Sequence, residues 1–506
     1  RLFKEQMPGT PSIGQWIGET LTPKQRAGIC GLTCSIGQFE TLRAELESFD
    51  IALESTADFF QDIWTDRPLL PTTPAYVLPL QYAGIPASQK LARIRQHIQS
   101  QQADGILLSA LDEVAWTLNM RGTDVHCNPV FVSYLLVQDT EATIYIGPDK
   151  IDAPTAAYLS ENGVKVRPYR EIEAALSLLP AESTLLLPAD TNLALRLASS
   201  CRVKLEASPV KLMKAIKNEV EIQGFHEAMK RDGVAMVRFL MWLKPAVTRG
   251  EETETSIDRK LHELRAGQAE FRDISFDTIA GYQDHGAIVH YEATPQSAYT
   301  LKPEGFLLLD SGAQYTDGTT DITRTIALGP LTDEQRTDYT LVLKGFIALS
   351  EAEFPEGTCG TQLDVLARQF LWKHGLNYKH GTGHGVGHFL NVHEGPHQIR
   401  MNYMPATLQP GMTVTNEPGI YKAGRYGIRT ENTMLVVESR QTEFGAFYKF
   451  EPLTLCPIDK EPIRTEMLTP TEKNWLNAYH RRVYEELSPL LKGEERHWLK
   501  EATAAL

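Results

Sequence analysis

Between His380 and His397 the chain reads HGTGHGVGHFLNVHEGPH, with five histidines in eighteen residues and glycine at 381, 383, 385 and 387. Helical spacing would put His380, His384 and His388 on one stripe, but each of those glycines costs a helix interior about 1 kcal/mol relative to alanine. The segment therefore reads as extended. In a strand, His380, Thr382, His384, Val386 and His388 share one face and bare backbone forms the other. A rise of about 3.3 Å per residue sets His380 and His384 roughly 13 Å apart, too far to ligate one metal ion together. At most one of them is a direct ligand, and its partners must come from elsewhere in the chain.

The chain has 506 residues, room for about three domains with cores of their own. A net charge of −14 argues against a nucleic-acid or anionic-membrane partner. No run of about twenty apolar residues marks a transmembrane helix. Six scattered cysteines without CxxC spacing fit a reducing, cytoplasmic setting. The opening RLFKEQMPGT has neither an initiator Met nor an apolar signal segment, so the chain reads as entering its first domain partway.

Composition then divides the chain. Residues 1–60 read as a partial N-terminal domain with a helix over Gln38 to Leu46. A proline-rich connector, DRPLLPTTPAYVLPLQYAGIP, follows from Asp66 to Pro86. Residues 61–215 alternate helical patterns (Ser88 to Gln102, Leu111 to Asn119) with apolar runs (GILLS, VFVSYLLV, ATIYI, TLLLPAD), an α/β domain. Residues 216–506 open with amphipathic helices from about Asn218 to Leu243 and from Glu254 to Ala266. They continue as glycine-punctuated strands with helices near Asp333 to Glu353 and Gln362 to His374, an α+β catalytic domain.

Four carboxylates stand where surface charge is unexpected. Asp310 closes the apolar strand GFLLLD. TDG then signals a turn, so Asp321 starts a returning strand opposite Asp310 across a hairpin whose loop or bulge exceeds two residues. Glu417 ends GMTVTNEP and Glu431 lies in YGIRTENTMLVV. Any one alone reads equally well as a cap or turn residue. Together they would repel one another unless protonated or held by cations, and two divalent ions neutralise four carboxylates. Oxygen donors with one imidazole suit Mn²⁺, Co²⁺ or Zn²⁺, with the oxygen bias favouring Mn²⁺. Arg429 lies two residues before Glu431 on one strand face, placed to pair with the acidic group on the substrate-binding side, with ordinary packing as the alternative.

LLLDSGAQYTDGTTDITRT, HGTGHGVGHFLNVHEGP, TNEPGIY and GIRTEN resemble the pita-bread metallopeptidases, and within them the three-domain aminopeptidases P. IWTDRP, ALDEVAWTLNMRGTDV, NPVF and FEPLTLCPID extend the resemblance over about residues 58 to 490. It implies a creatinase-type N-terminal and middle α/β region followed by a pita-bread catalytic domain. It implies ligands at Asp310, Asp321, His384, Glu417 and Glu431. Asp321 and Glu431 would touch both ions, Asp310 one of them, and His384 and Glu417 the other. His290 and His393 would flank the substrate, with His380 close by as a proton shuttle, although each also reads as a satisfied core histidine. His388 and His397 read as surface or strand-end residues. Trp116, Arg121 and Asp124 read as middle-domain structure, with a substrate-facing role as the alternative.

The implied reaction is hydrolysis of an N-terminal Xaa-Pro bond by a hydroxide bridging the two ions, in a cytoplasmic homodimer that takes peptides with proline second. His393 or His290 would donate to the oxyanion, and Glu417 would carry the proton to the leaving nitrogen. A prolidase restricted to dipeptides shares the ligand set, and a non-catalytic binding module shares the fold. Creatinase-like relatives work without metal and lack these ligands.

Overall fold

A computed structural model describes residues 3–4 and 9–506. The residues up to Val77, apart from 1–2 and 5–8, which lie outside the described residues, pack with Ile85–Asp124 and Val130–Val210 into one compact unit. Leu78–Gly84, Val125–Pro129 and Lys211–Leu506 make a second.

The first unit is built on a mixed six-stranded sheet, in the order Arg202–Leu205, Thr184–Leu187, Gly105–Leu108, Ser133–Gln138, Ala142–Ile146, Val164–Pro168. Gly105–Leu108 and Ala142–Ile146 are buried at every position, which is why they read as unbroken apolar runs rather than alternating ones. A parallel pair, Arg26–Cys30 with Ala52–Thr56, lies in the same unit. Helix Ile36–Glu47 starts at a Ser35 and Gln38 capping box. Its Ile36 joins Leu107, Leu136 and Leu187 in one core.

Helix Glu219–Arg249 opens the second unit, capped by Asn218, whose side chain accepts from the Glu221 N–H while Glu221 accepts from the Asn218 N–H. Helix Glu254–Ala266 follows. An antiparallel sheet runs Glu353–Pro355, Gly445–Pro452, Asn432–Thr442, Thr413–Asn416, Gly383–Gly385, Glu394–Ile399. A three-stranded sheet runs Ile279–Tyr282, Phe306–Ser311, Ile322–Ala327. Helices Asp333–Ser350, Gly360–Trp372 and Pro470–Leu487 complete the α+β arrangement. Among the described residues no helix is long and apolar enough to cross a membrane.

The returning strand Ile322–Ala327 pairs with Phe306–Ser311, Asp310 standing opposite Thr323, and the connection between them, longer than two residues, carries a small hairpin of its own, Ala313–Tyr315 with Gly318–Thr319. Two sequence expectations change. The glycine run is regular strand only over Gly383–Gly385, with a register shift after His384, so the histidines do not share one continuous face. His388 and His397 are buried rather than exposed. His388 sits edge-on to Phe225, and His397 donates from Nε2 to the Thr413 carbonyl at 2.7 Å. The alternating glycines have a packing cause: a Cβ on Gly383 would stand 1.9 Å from the Thr415 carbonyl oxygen, and one on Gly385 2.4 Å from that of Glu394.

His480, on helix Pro470–Leu487, is buried, and its Nε2 accepts from the Ile458 N–H at 3.0 Å. Burial, with help from Lys460 and Arg324, holds the ring down to about 3 from an ordinary 6.5. The unfolded chain therefore takes up a proton at His480 where the folded chain does not. That stability is complete above about pH 6.5 and drains away as pH falls towards about 3. Urea unfolding at neutral and mildly acid pH should show a steeper loss in the wild type than in His480→Gln, which keeps an acceptor for Ile458. Equal slopes would show that the ring does not contribute.

Candidate metal centre

Different strands deliver the acidic groups to one place. Asp310 lies on Phe306–Ser311, Asp321 immediately before Ile322–Ala327, and Glu417 immediately after Thr413–Asn416. Glu431 lies between Tyr426–Arg429 and Asn432–Thr442, and His384 lies on Gly383–Gly385. All five line one cavity of about 540 Å³. Donor atoms of Asp321, His384 and Glu431 lie within 4.8 Å of one another. His384 Nε2 is 3.5 Å from Asp321 Oδ2 and 3.5 Å from Glu417 Oε1.

Burial and mutual repulsion leave this cluster to be answered by protons or by cations. Burial, then Asp310 and Glu417, push the Asp321 carboxyl well above its ordinary range. Burial, then Asp321 and Asp310, do the same to Glu431. Glu417 is pushed up to about 8, chiefly by burial and despite Arg429. Burial and the neighbouring His393 hold His384 down to about 3, which keeps its ring neutral and free to donate a lone pair. Asp310 Oδ1 is buried with no hydrogen-bond partner. A buried oxygen without a donor, raised carboxyls and a neutral imidazole form a donor set that fits two divalent ions.

The surrounding residues are ordered by hydrogen bonds. Arg429 pairs with Asp310 rather than with Glu431, Nη2 to Oδ2 at 2.5 Å, and donates from Nη1 to Tyr421 Oη at 2.7 Å. Glu431 Oε2 accepts from Thr323 Oγ1 at 2.7 Å. His380 donates from Nδ1 to the Gly381 carbonyl at 2.7 Å, so its Nε2 accepts from Tyr421 Oη at 2.9 Å. Its Nδ1 is 4.0 Å from Glu417 Oε2. His290 and His393 are exposed on the cavity, not buried in a core, and the His393 ring centre lies 4.2 Å from that of His384.

Trp116, Arg121 and Asp124 lie in the first unit and make structural contacts there. Lys90 Nζ sits 3.8 Å over the Trp116 ring, Arg121 donates to the Met120 carbonyl, and Asp124 pairs with Lys150. Tyr421 joins Arg429 to His380, yet sequence reasoning passed it over; its signal was its place at the end of TNEPGIY, four residues beyond Glu417. Arg400, which also lines the cavity, carried no sequence signal.

Comparison with known proteins agrees with this geometry. The family described as metallopeptidase family M24 matches residues 223–438, the creatinase/prolidase N-terminal domain 66–221, and the C-terminal region of peptidase M24 446–506. A protein of Tuber melanosporum described as a probable Xaa-Pro aminopeptidase P is 37% identical over 100% of this chain and 86% of its own. The crystal structure of an X-prolyl aminopeptidase from Caenorhabditis elegans, described as a cytosolic enzyme with a di-nuclear active site, superposes with a TM-score of 0.95 and 34% identity, covering 100% of this chain and 85% of that one. A Xaa-Pro dipeptidase from Bacillus anthracis reaches a TM-score of 0.60 at 25% identity, covering 74% of this chain and 99% of its own. The chain belongs to the M24 metallopeptidases and, within them, to the Xaa-Pro aminopeptidase P family. Its architecture is accordingly a creatinase-type N-terminal region followed by a pita-bread catalytic domain.

The Arg429 contacts generate a prediction about metal removal. Without metal, Arg429 is the positive group paired with Asp310; with metal, the ions share that work. In chelator-stripped protein Arg429→Gln should lose about 3–5 kcal/mol of unfolding free energy, as for a broken buried pair. Saturating Mn²⁺ should recover much of that loss in urea titrations. An equal loss with and without Mn²⁺ would mean that the side chain acts through packing alone.

Proposed function

We propose that the protein is a dinuclear-metal aminopeptidase that hydrolyses the bond between an N-terminal residue and a following proline. The observation that carries this is the set of three buried carboxylates, Asp310, Asp321 and Glu431, with half-buried Glu417 and the neutral imidazole of His384, facing one cavity. Asp310, Asp321, His384, Glu417 and Glu431 hold two divalent ions, Mn²⁺ in preference to Zn²⁺ or Co²⁺ because four of five donors are hard oxygens. Such a pair supplies a hydroxide equivalent near neutral pH and polarises the scissile carbonyl.

The chain's own residues do the rest. His290 and His393, exposed on the cavity, orient the substrate and donate to the developing oxyanion. Glu417 takes a proton from the nucleophile and returns it to the departing proline nitrogen, a poor leaving group unless protonated. His380, held by Tyr421 and near Glu417, passes that proton to and from solvent. Arg429 pairs with Asp310 and holds its carboxylate in place. A bond to proline lacks the amide N–H that other peptidases use for docking, so recognition rests on the ring and on the free amino terminus.

The full-length likeness to the aminopeptidase, against the partial one to the dipeptidase, favours this reading over prolidase. Division of the chain at 1–60, 61–215 and 216–506 belongs to the same reading, and the family matches starting at residues 66 and 223 support the two later parts. A cytoplasmic location is supported by six buried cysteines without disulfides and by the cytosolic neighbour. Homodimerisation rests on the family resemblance.

The test is release of arginine from Arg-Pro-Pro and from Arg-Ala-Ala by chelator-stripped protein with and without Mn²⁺. Mn²⁺-dependent cleavage of the proline peptide alone is expected, falling to background in Asp321→Ala and Glu431→Ala. Cleavage of the dipeptide Arg-Pro but not of Arg-Pro-Pro would make the protein a prolidase. A wild-type rate in either variant would overturn the ligand assignment.

A further inference from the structure

We infer that His126, Cys127 and Asp277 form a separate, mononuclear metal site, selective for Zn²⁺, in the wall of the substrate cavity, and that filling it inhibits the enzyme. A sulfur of Cys127, a ring nitrogen of His126 and a carboxylate oxygen of Asp277 all lie within 4.8 Å of one another. His126 Nε2 already stands 2.9 Å from Asp277 Oδ1. Tetrahedral Zn²⁺ with bonds of about 2.0–2.3 Å needs ligand separations of about 3.3–3.8 Å. Side-chain rotation closes that difference, because His126 and Asp277 are exposed and free to turn while Cys127 is buried.

The backbone presents the thiol in a fixed position. Cys127 has a left-handed φ of +63°, unusual for a residue with a side chain. The turn is closed by the Asn128 N–H donating to the Val125 carbonyl at 3.1 Å, and the Cys127 carbonyl accepts from Gln314 Nε2 at 3.1 Å. A second observation points to a ligand. The three residues line a cavity of about 310 Å³ together with Asn391, whose Oδ1 is buried without a hydrogen-bond partner.

Donor chemistry separates this site from the dinuclear one. Thiolate, imidazole and carboxylate with one open position suit Zn²⁺ and disfavour Mn²⁺, whereas the oxygen-rich centre has the opposite bias. On binding, the thiol proton leaves to solvent as the metal–sulfur bond forms. Asp277 and His393 line both this cavity and the one holding the four carboxylates. An ion here therefore adds charge and bulk beside the histidine that meets the substrate.

Co²⁺ titration of the full chain is the test, because the ligand set of the dinuclear centre has no sulfur. A cobalt–thiolate charge-transfer absorption should grow in with a third equivalent of Co²⁺, bleach on addition of Zn²⁺, and be lost in Cys127→Ser. His126→Ala, which removes an exposed side chain and should leave folding intact, should bind two equivalents rather than three. No such band in the wild type, or a band retained in Cys127→Ser, would overturn the site. The inhibition arm, unlike the cobalt arm, rests on the aminopeptidase reading. In Mn²⁺-loaded enzyme the Zn²⁺ concentration for half-inhibition should rise at least about tenfold in His126→Ala. Unchanged Zn²⁺ sensitivity there, with the cobalt band intact in the wild type, would leave a metal site that does not inhibit.

Discussion

Repulsion among four carboxylates packed around one imidazole is the constraint on which the rest of the second unit depends. Asp321, Glu417 and Glu431 each have their carboxyls raised by burial and by their acidic neighbours. Such groups stay together only if the scaffold opposes their separation and a positive charge answers them. The scaffold is two antiparallel sheets whose strand ends converge, so no single strand has to carry two adjacent acids. Arg429 supplies fixed positive charge, and in the reading proposed above divalent ions would complete the balance. The centre is thus a stability problem whose solution is also its chemistry.

How far the sequence foretold this arrangement depended on the range of each interaction. Helix Glu254–Ala266 was legible to the residue, and Glu219–Arg249 from its first turn, because caps and periodicity are local signals. Glycine alternation correctly excluded a helix. Its cause, close approach of the Thr415 and Glu394 carbonyls to Gly383 and Gly385, involves partners up to 32 residues away and was not legible. His388 and His397 were misjudged for the same reason. One packs on Phe225 and the other on Thr413, and neither partner is visible from the histidine's own neighbourhood.

Within the site, residue types were easier to read than pairings. Acids ending apolar strands stand out because burying an unpaired charge is costly. For Arg429 the sequence indicated an ion-pairing role beside the ligands without naming the partner. It reaches to Asp310, 119 positions earlier, on a strand of a different sheet. Tyr421 escaped notice because a tyrosine at a strand end is ordinary. Only the fold shows its hydroxyl between the Arg429 guanidinium and the His380 ring.

A second buried charge cluster links the fold to the substrate side of the site. Glu394 accepts from Lys214 Nζ at 2.8 Å and Lys217 Nζ at 2.5 Å, with all three side chains almost fully buried. Burial holds the Lys217 ammonium below its ordinary range, against the pull of Glu394. Desolvating three charges is an inefficient way to stabilise a fold, and apolar residues of similar volume would often do as well. The arrangement makes sense as positional control. Glu394 follows His393 directly and begins the strand that pairs with Gly383–Gly385, which carries His384. Two ammonium groups clamping that one carboxylate fix the backbone at the point where His393 enters the cavity, so the exposed histidine hangs from a rigid anchor. An apolar substitute would fill the same volume but would not specify which way the chain must run there.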